Sequence, residues 1–369
     1  MQLNNRSLAL DVFRGMTVCF MIIVNTSGNW GTTFAPLLHA NWNGFTPTDL
    51  VFPSFLFAVG NSMSFVMDKW KNMPQSKVLT KIFKRTFLIF LLGYLMYWFP
   101  FYNVDANFNV KAFPFEETRI FGVLQRIALC YGMASLLLYY FKPKVSLYVS
   151  AFILLVYWLI YYFYGSYDIH HNPVLDLDLK LFAEGHIYHG EGFAFDPEGL
   201  LSTFPALVNV IAGYFVGKLI QEKGKTFEGL SKIFMIGFLF IAAGFMWNYG
   251  FEINKKLWTS SYVLLTIGLS ASILGLVVYY SDFLHQKKGL YFFEVFGKNT
   301  LAIYLLSELL VPLMWRISIT GKSSYVWFYE NIFQPVGDYF GAFLFAFVYM
   351  MICWFVGYIL DKKKIYIKI

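Results

Sequence analysis

The run VSLYVSAFILLVYWLIYYFY, Val145 to Tyr164, carries no charged side chain from end to end. A helix of this length crosses roughly 30 Å of hydrocarbon and satisfies its own backbone hydrogen bonds, which lipid cannot do for it. Stretches almost free of charge recur near Gly15 to Ser27, Leu50 to Met67, Thr86 to Phe101, Ile120 to Phe141, Leu200 to Ile220, Ile233 to Gly250, Ser260 to Tyr280, Asn299 to Trp315 and Tyr339 to Leu360. With Val145 to Tyr164 they predict an all-α polytopic membrane protein of about ten transmembrane helices. Composition points the same way: 58% of residues are hydrophobic and only 14% charged, more apolar surface than a water-soluble domain can hide. No internal repeat and no long linker is visible, so residues 1–369 are expected to form one transmembrane domain.

The basic residues orient these spans. With the N-terminus in the cytoplasm, that side receives Arg6, then Lys69, Lys71, Lys77, Lys81, Lys84 and Arg85, then Lys142 and Lys144. Lys218, Lys223, Lys225, Lys232, Lys287, Lys288, Lys298, Lys362, Lys363, Lys364 and Lys368 follow on the same side. The opposite side has Lys111, Arg119, Lys180, Lys255, Lys256, Arg316 and Lys322, while Arg14 and Arg126 fall within helical stretches. The bias predicts both termini in the cytoplasm and an even number of spans. It also accounts for the net charge of +7, so no nucleic-acid partner is expected.

Cys19, Cys130 and Cys353 each lie within an apolar span, where a thiol packs as a small hydrophobe, and no loop pair suggests a disulfide. The first span does not read as a cleaved signal, because Asp11 and Arg14 precede it and no small-residue cleavage site follows. His186 and His189 have a spacing that could bind metal on a helical turn, but no Glu follows in a metalloprotease arrangement, and no metal is expected.

Between the first two spans lies a polar, aromatic loop, His39-Ala40-Asn41-Trp42-Asn43-Gly44-Phe45-Thr46-Pro47-Thr48-Asp49. A titratable imidazole at a membrane surface is a candidate base or nucleophile, since its ordinary pKa, about 6.5, lies near physiological pH. Asn25 closes the preceding helix, where its amide could reach this loop. A second outer segment, from Gly165 to Glu198, holds Asp168, Asp176, Asp178, Glu184, Glu191, Asp196 and Glu198 against a single Lys180. Such a surface could attract a cationic amine, or its acids could simply solvate the loop. Within the spans, Asp11 and Arg14 share a helix face, Gln125-Arg126 interrupts the fourth span, and Asn299, Ser307 and Glu308 mark the ninth. Ionisable groups at such depth face a cavity or a partner, though each could equally hold helices together.

Several short motifs, taken in order, resemble one known family. Ser7-Leu8-Ala9-Leu10-Asp11-Val12-Phe13-Arg14-Gly15, Val24-Asn25, His39-Ala40-Asn41-Trp42-Asn43-Gly44 and Asp49-Leu50-Val51-Phe52-Pro53-Ser54-Phe55-Leu56-Phe57 are similar to the membrane domain of the heparan-α-glucosaminide N-acetyltransferase family and its bacterial relatives. Gly122-Val123-Leu124-Gln125-Arg126-Ile127, Phe195-Asp196-Pro197-Glu198-Gly199-Leu200, Asn254-Lys255-Lys256-Leu257-Trp258-Thr259-Ser260-Ser261-Tyr262 and Gly297-Lys298-Asn299 continue the match over nearly the whole chain.

The resemblance implies acetyl transfer across a membrane, from cytoplasmic acetyl-CoA to the amino group of a terminal glucosamine on the far side. It implies His39 as the active-site histidine and Asn25 as a polar neighbour. The lysosomal member has N-terminal sequence before its core that this chain lacks, so a bacterial inner membrane is the expected location. The chemistry suggests further roles. Asp49 could orient His39, and Asn25 could donate to the oxyanion that develops on the thioester carbonyl. Arg14, Gln125, Arg126, Lys298 and Asn299 are candidates for the CoA side. Trp42, Asn43, His186, Asp196, Glu198, Trp258 and Glu308 are candidates for the sugar side, the tryptophans as stacking platforms or as membrane-interface anchors.

Alternatives stay open. An acetyl-histidine could carry the group, or the amine could attack directly with both substrates bound. The acceptor could be a hydroxyl of a cell-envelope glycan. Ten spans with buried charges would also suit a solute transporter, against which stand the absent repeat and the placement of His39 in an outer loop. The outer loops could hold a lid or a homodimer contact.

Overall fold

A computed structural model of the chain describes residues 7–104, 110–223 and 226–367. Arg6, Lys225 and Lys368 of the basic set lie outside the described residues. In chain order the helices are α1 (Leu8–Asn25), α2 (Val51–Trp70), α3 (Gln75–Trp98), α4 (Val123–Tyr140), α5 (Pro143–Tyr164), α6 (Pro173–Leu181) and α7 (Thr203–Lys223). Then come α8 (Phe227–Asn248), α9 (Ser260–Val278), α10 (Leu290–Lys298), α11 (Thr300–Arg316), α12 (Ser324–Phe328) and α13 (Asp338–Lys362). Two short antiparallel hairpins, Tyr102–Val104 with Val110–Ala112 and Ser318–Ile319 with Lys322–Ser323, lie in loops.

Among the described residues, eight helices are long and apolar enough to cross a membrane: Leu8–Asn25, Pro47–Trp70, Val123–Tyr140, Pro143–Tyr164, Thr203–Lys223, Phe227–Asn248, Ser260–Phe283 and Asp338–Lys362. The chain is a multi-pass, all-α membrane protein. The other two expected spans are also helices, but α3 carries Lys77, Lys81, Lys84 and Arg85 in its first half, and α11 has only 17 residues with Pro312 inside it.

Helix α5 shows how such a sequence sorts its faces. Ser146, Ser150, Leu154, Tyr157 and Tyr161 are buried, each three or four residues from the next. Tyr148, Phe152, Leu155, Leu159 and Tyr162 form the opposite, exposed stripe. The outward face of this helix is therefore the more aromatic one, which suits lipid, while the inward face has small and hydroxylated residues that allow close approach of neighbouring chain. Tyr157 OH donates to the Leu257 carbonyl at 2.5 Å and Ser260 Oγ to the Leu154 carbonyl at 2.8 Å.

The chain falls into two compact units. One comprises Met1–His39, Thr46–Phe55 and Leu276–Lys368, the other Ala40–Phe45 and Leu56–Gly275. In the first, α1 and α10 cross with backbones nearly touching: a Cβ on Gly15 would sit 1.8 Å from the Phe293 carbonyl oxygen, and one on Gly297 would sit 2.0 Å from that of Asp11. Tyr349 OH of α13 donates to the Ser307 carbonyl of α11 at 2.6 Å, and Tyr325, Tyr329, Ala342 and Phe345 form a buried cluster. In the second, α2 and α7 cross in the same way, with Gly60 against the Val210 carbonyl and Gly213 against that of Phe57. Its core on the loop side comprises Tyr157, Tyr161, Val174, Leu175, Phe195, Phe251 and Leu257.

The obstacle at Gly60 is a backbone carbonyl 1.8 Å from the added carbon, which cannot swing aside as a side chain can. Gly60→Val should therefore destabilise the protein by at least about 1–3 kcal/mol, the usual cost of overpacking. Gly250→Ala, where the nearest atom is 3.9 Å away, should be tolerated. Yield of monodisperse protein and the thermal midpoint in detergent check the pair; equal behaviour of the two variants would contradict this packing.

Candidate active site

The sequence Thr46-Pro47-Thr48-Asp49 starts a helical turn, Pro47–Leu50, that runs directly into α2. Proline suits a first helical position, and an acid three residues after a threonine can reach back to the exposed backbone N–H. Asp49 does so: its Oδ2 accepts from the Thr46 backbone N–H at 2.9 Å and from Thr46 Oγ1 at 3.1 Å. Its Oδ1 lies 2.6 Å from His39 Nδ1. The carboxylate is buried, whereas the imidazole is 43% exposed. A carboxylate at this nitrogen fixes the proton on Nδ1 and makes Nε2 the basic position. The single proton of Thr46 Oγ1 is shared between Asp49 Oδ2 and the nearer Leu38 carbonyl at 2.7 Å, and Thr48 Oγ1 donates to the Pro36 carbonyl at 3.0 Å, so the segment bearing His39 is tied to the start of α2.

The other end of that loop is anchored in the same unit. Tyr325 OH donates to the Ser27 carbonyl at 2.6 Å, and the Gly28 N–H to the Ala342 carbonyl at 3.3 Å. Asn25, at the end of α1, donates from Nδ2 to Glu308 Oε1 at 3.4 Å, so the acid of α11 finds its donor here. An amide has two N–H donors, and one such bond leaves the second for another acceptor.

In the second unit, Asp196 and Glu198 are buried and paired. Arg119 donates to both Asp196 oxygens, at 2.8 and 2.6 Å, and to Glu198 Oε2 at 2.7 Å, with its guanidinium over the rings of Tyr188 and Tyr97. Burial alone would raise the Glu198 carboxyl, but Lys255, Arg119 and Arg126 outweigh it and hold it down at about 2. These two carboxylates are thus engaged with cations of the same unit, which corrects their reading as an open acidic surface for an amine. Trp258 is fully buried, with Arg126 over its ring at 4.8 Å and Nε1 donating to Asn209 Oδ1 at 3.1 Å. It therefore offers no sugar platform. Trp42 is half-buried, donates from Nε1 to the Tyr167 carbonyl and packs on Phe195. Asn43 binds Glu252, and its Oδ1 accepts from Asn254 Nδ2 at 3.0 Å. His186 Nδ1 is 2.8 Å from the Thr118 carbonyl, which makes it a loop staple. Among the described residues no cluster of three or more His, Cys, Asp or Glu side chains could hold a metal ion.

The candidates for the CoA side divide between the units. Arg14 pairs with Asp11 on α1, and Lys298 on α10 pairs with Glu294 at 2.9 Å and Asp361 at 3.1 Å. Each cation is next in sequence to a glycine of the α1–α10 crossing, so both belong to one place. Asn299 is buried, donating to the Ile365 carbonyl and accepting from the Ile367 N–H, and so clasps the chain after α13. Gln125 and Arg126 are fully buried in the second unit, where Arg126 donates to the Gly199 carbonyl and to Ser202.

Comparison with known proteins adds the lineage. Residues 6–245 match the family described as heparan-alpha-glucosaminide N-acetyltransferase, catalytic. The chain belongs to this family. Heparan-alpha-glucosaminide N-acetyltransferase of Mus musculus is 28% identical over 99% of this chain and 61% of its own length. That of Homo sapiens is 27% identical over 99% and 60%. The chain thus spans about three fifths of the length of the curated relatives it matches.

Within this heparan-α-glucosaminide N-acetyltransferase family member, two residues of the buried network escaped sequence reasoning. Arg119 counted only toward the outer charge, although a lone arginine at the foot of an apolar span is itself a signal of an internal anion. Asp178, one of several loop acids, is buried: its Oδ1 accepts from the Leu200 N–H at 3.1 Å, and among the described residues Oδ2 has no partner. Burial pushes its carboxyl up to about 7, helped by Asp196 and opposed by the Leu200 N–H and Arg126.

A folded-state pKa above the ordinary 3.8 means that the protonated acid favours folding. The contribution is complete below about 3.8 and is lost as pH rises through about 7. Asp178→Asn keeps the neutral form at every pH. Its thermal midpoint should match the wild type near about pH 4 and exceed it above about pH 7; parallel midpoints across that range would contradict the burial of a carboxyl with one unpartnered oxygen.

Proposed function

We propose that the protein is a transmembrane N-acetyltransferase that moves the acetyl group of acetyl-CoA to the amino group of a glucosamine-type sugar, of the kind that ends a heparan fragment. The observation that carries this reading is the His39–Asp49 pair, in a chain of a family named for that transfer. The deprotonated amine attacks the thioester carbonyl, a C–N bond forms, the C–S bond breaks and CoA leaves as the thiolate. His39 Nε2 takes the proton of the attacking nitrogen and returns it to the thiolate, and Asp49 stabilises the imidazolium in between. The spare N–H of Asn25 suits the oxyanion on the carbonyl. Arg14 and Lys298, at one helix crossing near the basic N-terminal end of α1, are the cations assigned to the phosphates of the donor. Asn43 and Trp42 are assigned to the acceptor, since they lie four and three residues from His39 on the same loop. Helices α3 and α11 join the eight apolar helices as spans, which puts both termini on the lysine-rich side with the donor, and His39 toward the acceptor side.

Purified protein given acetyl-labelled acetyl-CoA and glucosamine should make labelled N-acetylglucosamine, identified by mass. His39→Ala should lower turnover by about 10²–10⁴-fold or more, since it removes the base, while remaining folded in the membrane. Wild-type turnover in that variant would refute the role of His39. Uptake of unmodified sugar into liposomes without product would refute the transferase.

A further inference from the structure

On α3, residues Lys81, Lys84, Arg85 and Leu88 recur at positions i, i+3, i+4 and i+7 and so share one helix face. With Val66 and Trp70 of α2 and Tyr131 of α4 they line a cavity of about 330 Å³. Its lining is thus part cationic and part apolar. Arg85 lies over the Tyr131 ring at 4.7 Å and Lys81 Nζ is 3.6 Å from Met73 Sδ. Among the described residues none of the three cations has a carboxylate within ion-pair distance, and the sequence from Lys69 to Trp98 has no acid to supply one. Three like charges gathered without a counter-ion repel one another, so their arrangement calls for an anion from outside.

We propose that this groove binds an anionic phospholipid, its phosphate between Lys81, Lys84 and Arg85 and the start of an acyl chain along Val66, Trp70 and Leu88. Three features favour lipid over a water-borne phosphate. The cations sit beside the end of α2 and just ahead of the charge-free second half of α3, the height of a headgroup. Trp70 has the interfacial position that tryptophan prefers. The stripe beside the groove bears Phe83 and Phe87, 58% and 63% exposed, so this side of α3 faces lipid. Basic pockets between helices at the lysine-rich side of a membrane hold such headgroups. None of the groove's lining residues belongs to the His39 loop, and the proposal does not depend on the acetyl-transfer reading.

Native mass spectrometry of the full chain released from micelles tests it, with phosphatidylglycerol titrated against phosphatidylcholine of the same acyl chains. The wild type should hold one phosphatidylglycerol preferentially. A Lys81→Gln, Lys84→Gln, Arg85→Gln variant should weaken it on the order of a hundredfold, and Lys84→Gln alone, at an exposed position, about fivefold. Leu88→Trp, which keeps all three cations but fills the apolar part, should also weaken binding. Equal retention of both lipids by the wild type, unchanged affinity in Lys84→Gln, or full affinity in Leu88→Trp would overturn the proposal. So would displacement of the lipid by acetyl-CoA, which would make the groove a nucleotide site.

Discussion

The carboxylate of Asp49 divides its two oxygens between a backbone turn and an imidazole. Oδ2 closes the turn at the head of α2 through the Thr46 N–H and hydroxyl, while Oδ1 holds His39 at 2.6 Å. Each duty reinforces the other. A buried carboxylate is costly unless its lone pairs are filled, and the turn supplies one oxygen with the Thr46 backbone N–H and a share of its hydroxyl. The imidazole is thereby presented on a rigid helix start instead of a free loop, with Nδ1 committed and Nε2 basic. For the proposed role as a base, position matters because proton transfer demands hydrogen-bond distance, and a loop residue without such support would rarely be there.

A different electrostatic problem is solved in the second unit. Arg119 takes Asp196 by both oxygens and Glu198 by one, with aromatic rings of Tyr97 and Tyr188 beside its guanidinium. Breaking such a buried pair leaves an uncompensated charge, so it holds the loop after α6 to the foot of α4 with high specificity, whatever its net energy. Asp178, beside the same chain turn but lacking a cation at its second oxygen, follows the opposite course and moves toward neutrality. Two acids of one segment are thus separated by their partners, one kept charged and one shifted toward its neutral form.

Much of this was legible in the sequence where the physics is local. Charge-free runs named the helices, because a bilayer imposes length and apolarity directly. His39 and Asp49 were readable together because a turn of ten residues brings them within reach. The Asn25–Glu308 contact joins residues 283 apart, and the sequence supplied only each partner's need. Asp196 and Glu198 read as open acids because their cation, Arg119, lies 77 and 79 residues upstream. Trp258 read as a platform because burial between Arg126 and Tyr262 is a property of packing that no local pattern encodes. Asn299, expected on the donor side, clasps the chain after α13, a contact set by tertiary structure alone.

Turnover of Asp49→Asn, measured against acceptor concentration and pH, tests the central pairing most directly. An amide retains the shape and can still accept one hydrogen bond, but it cannot stabilise an imidazolium as a carboxylate does. If Asp49 positions and charges His39, kcat should fall by about 10²–10⁴-fold with little change in the KM for glucosamine, and the pH at which the rate is half-maximal should shift downward as the imidazolium loses its counter-ion. A variant that turns over at the wild-type rate with an unchanged pH profile would contradict the pairing as the source of the base.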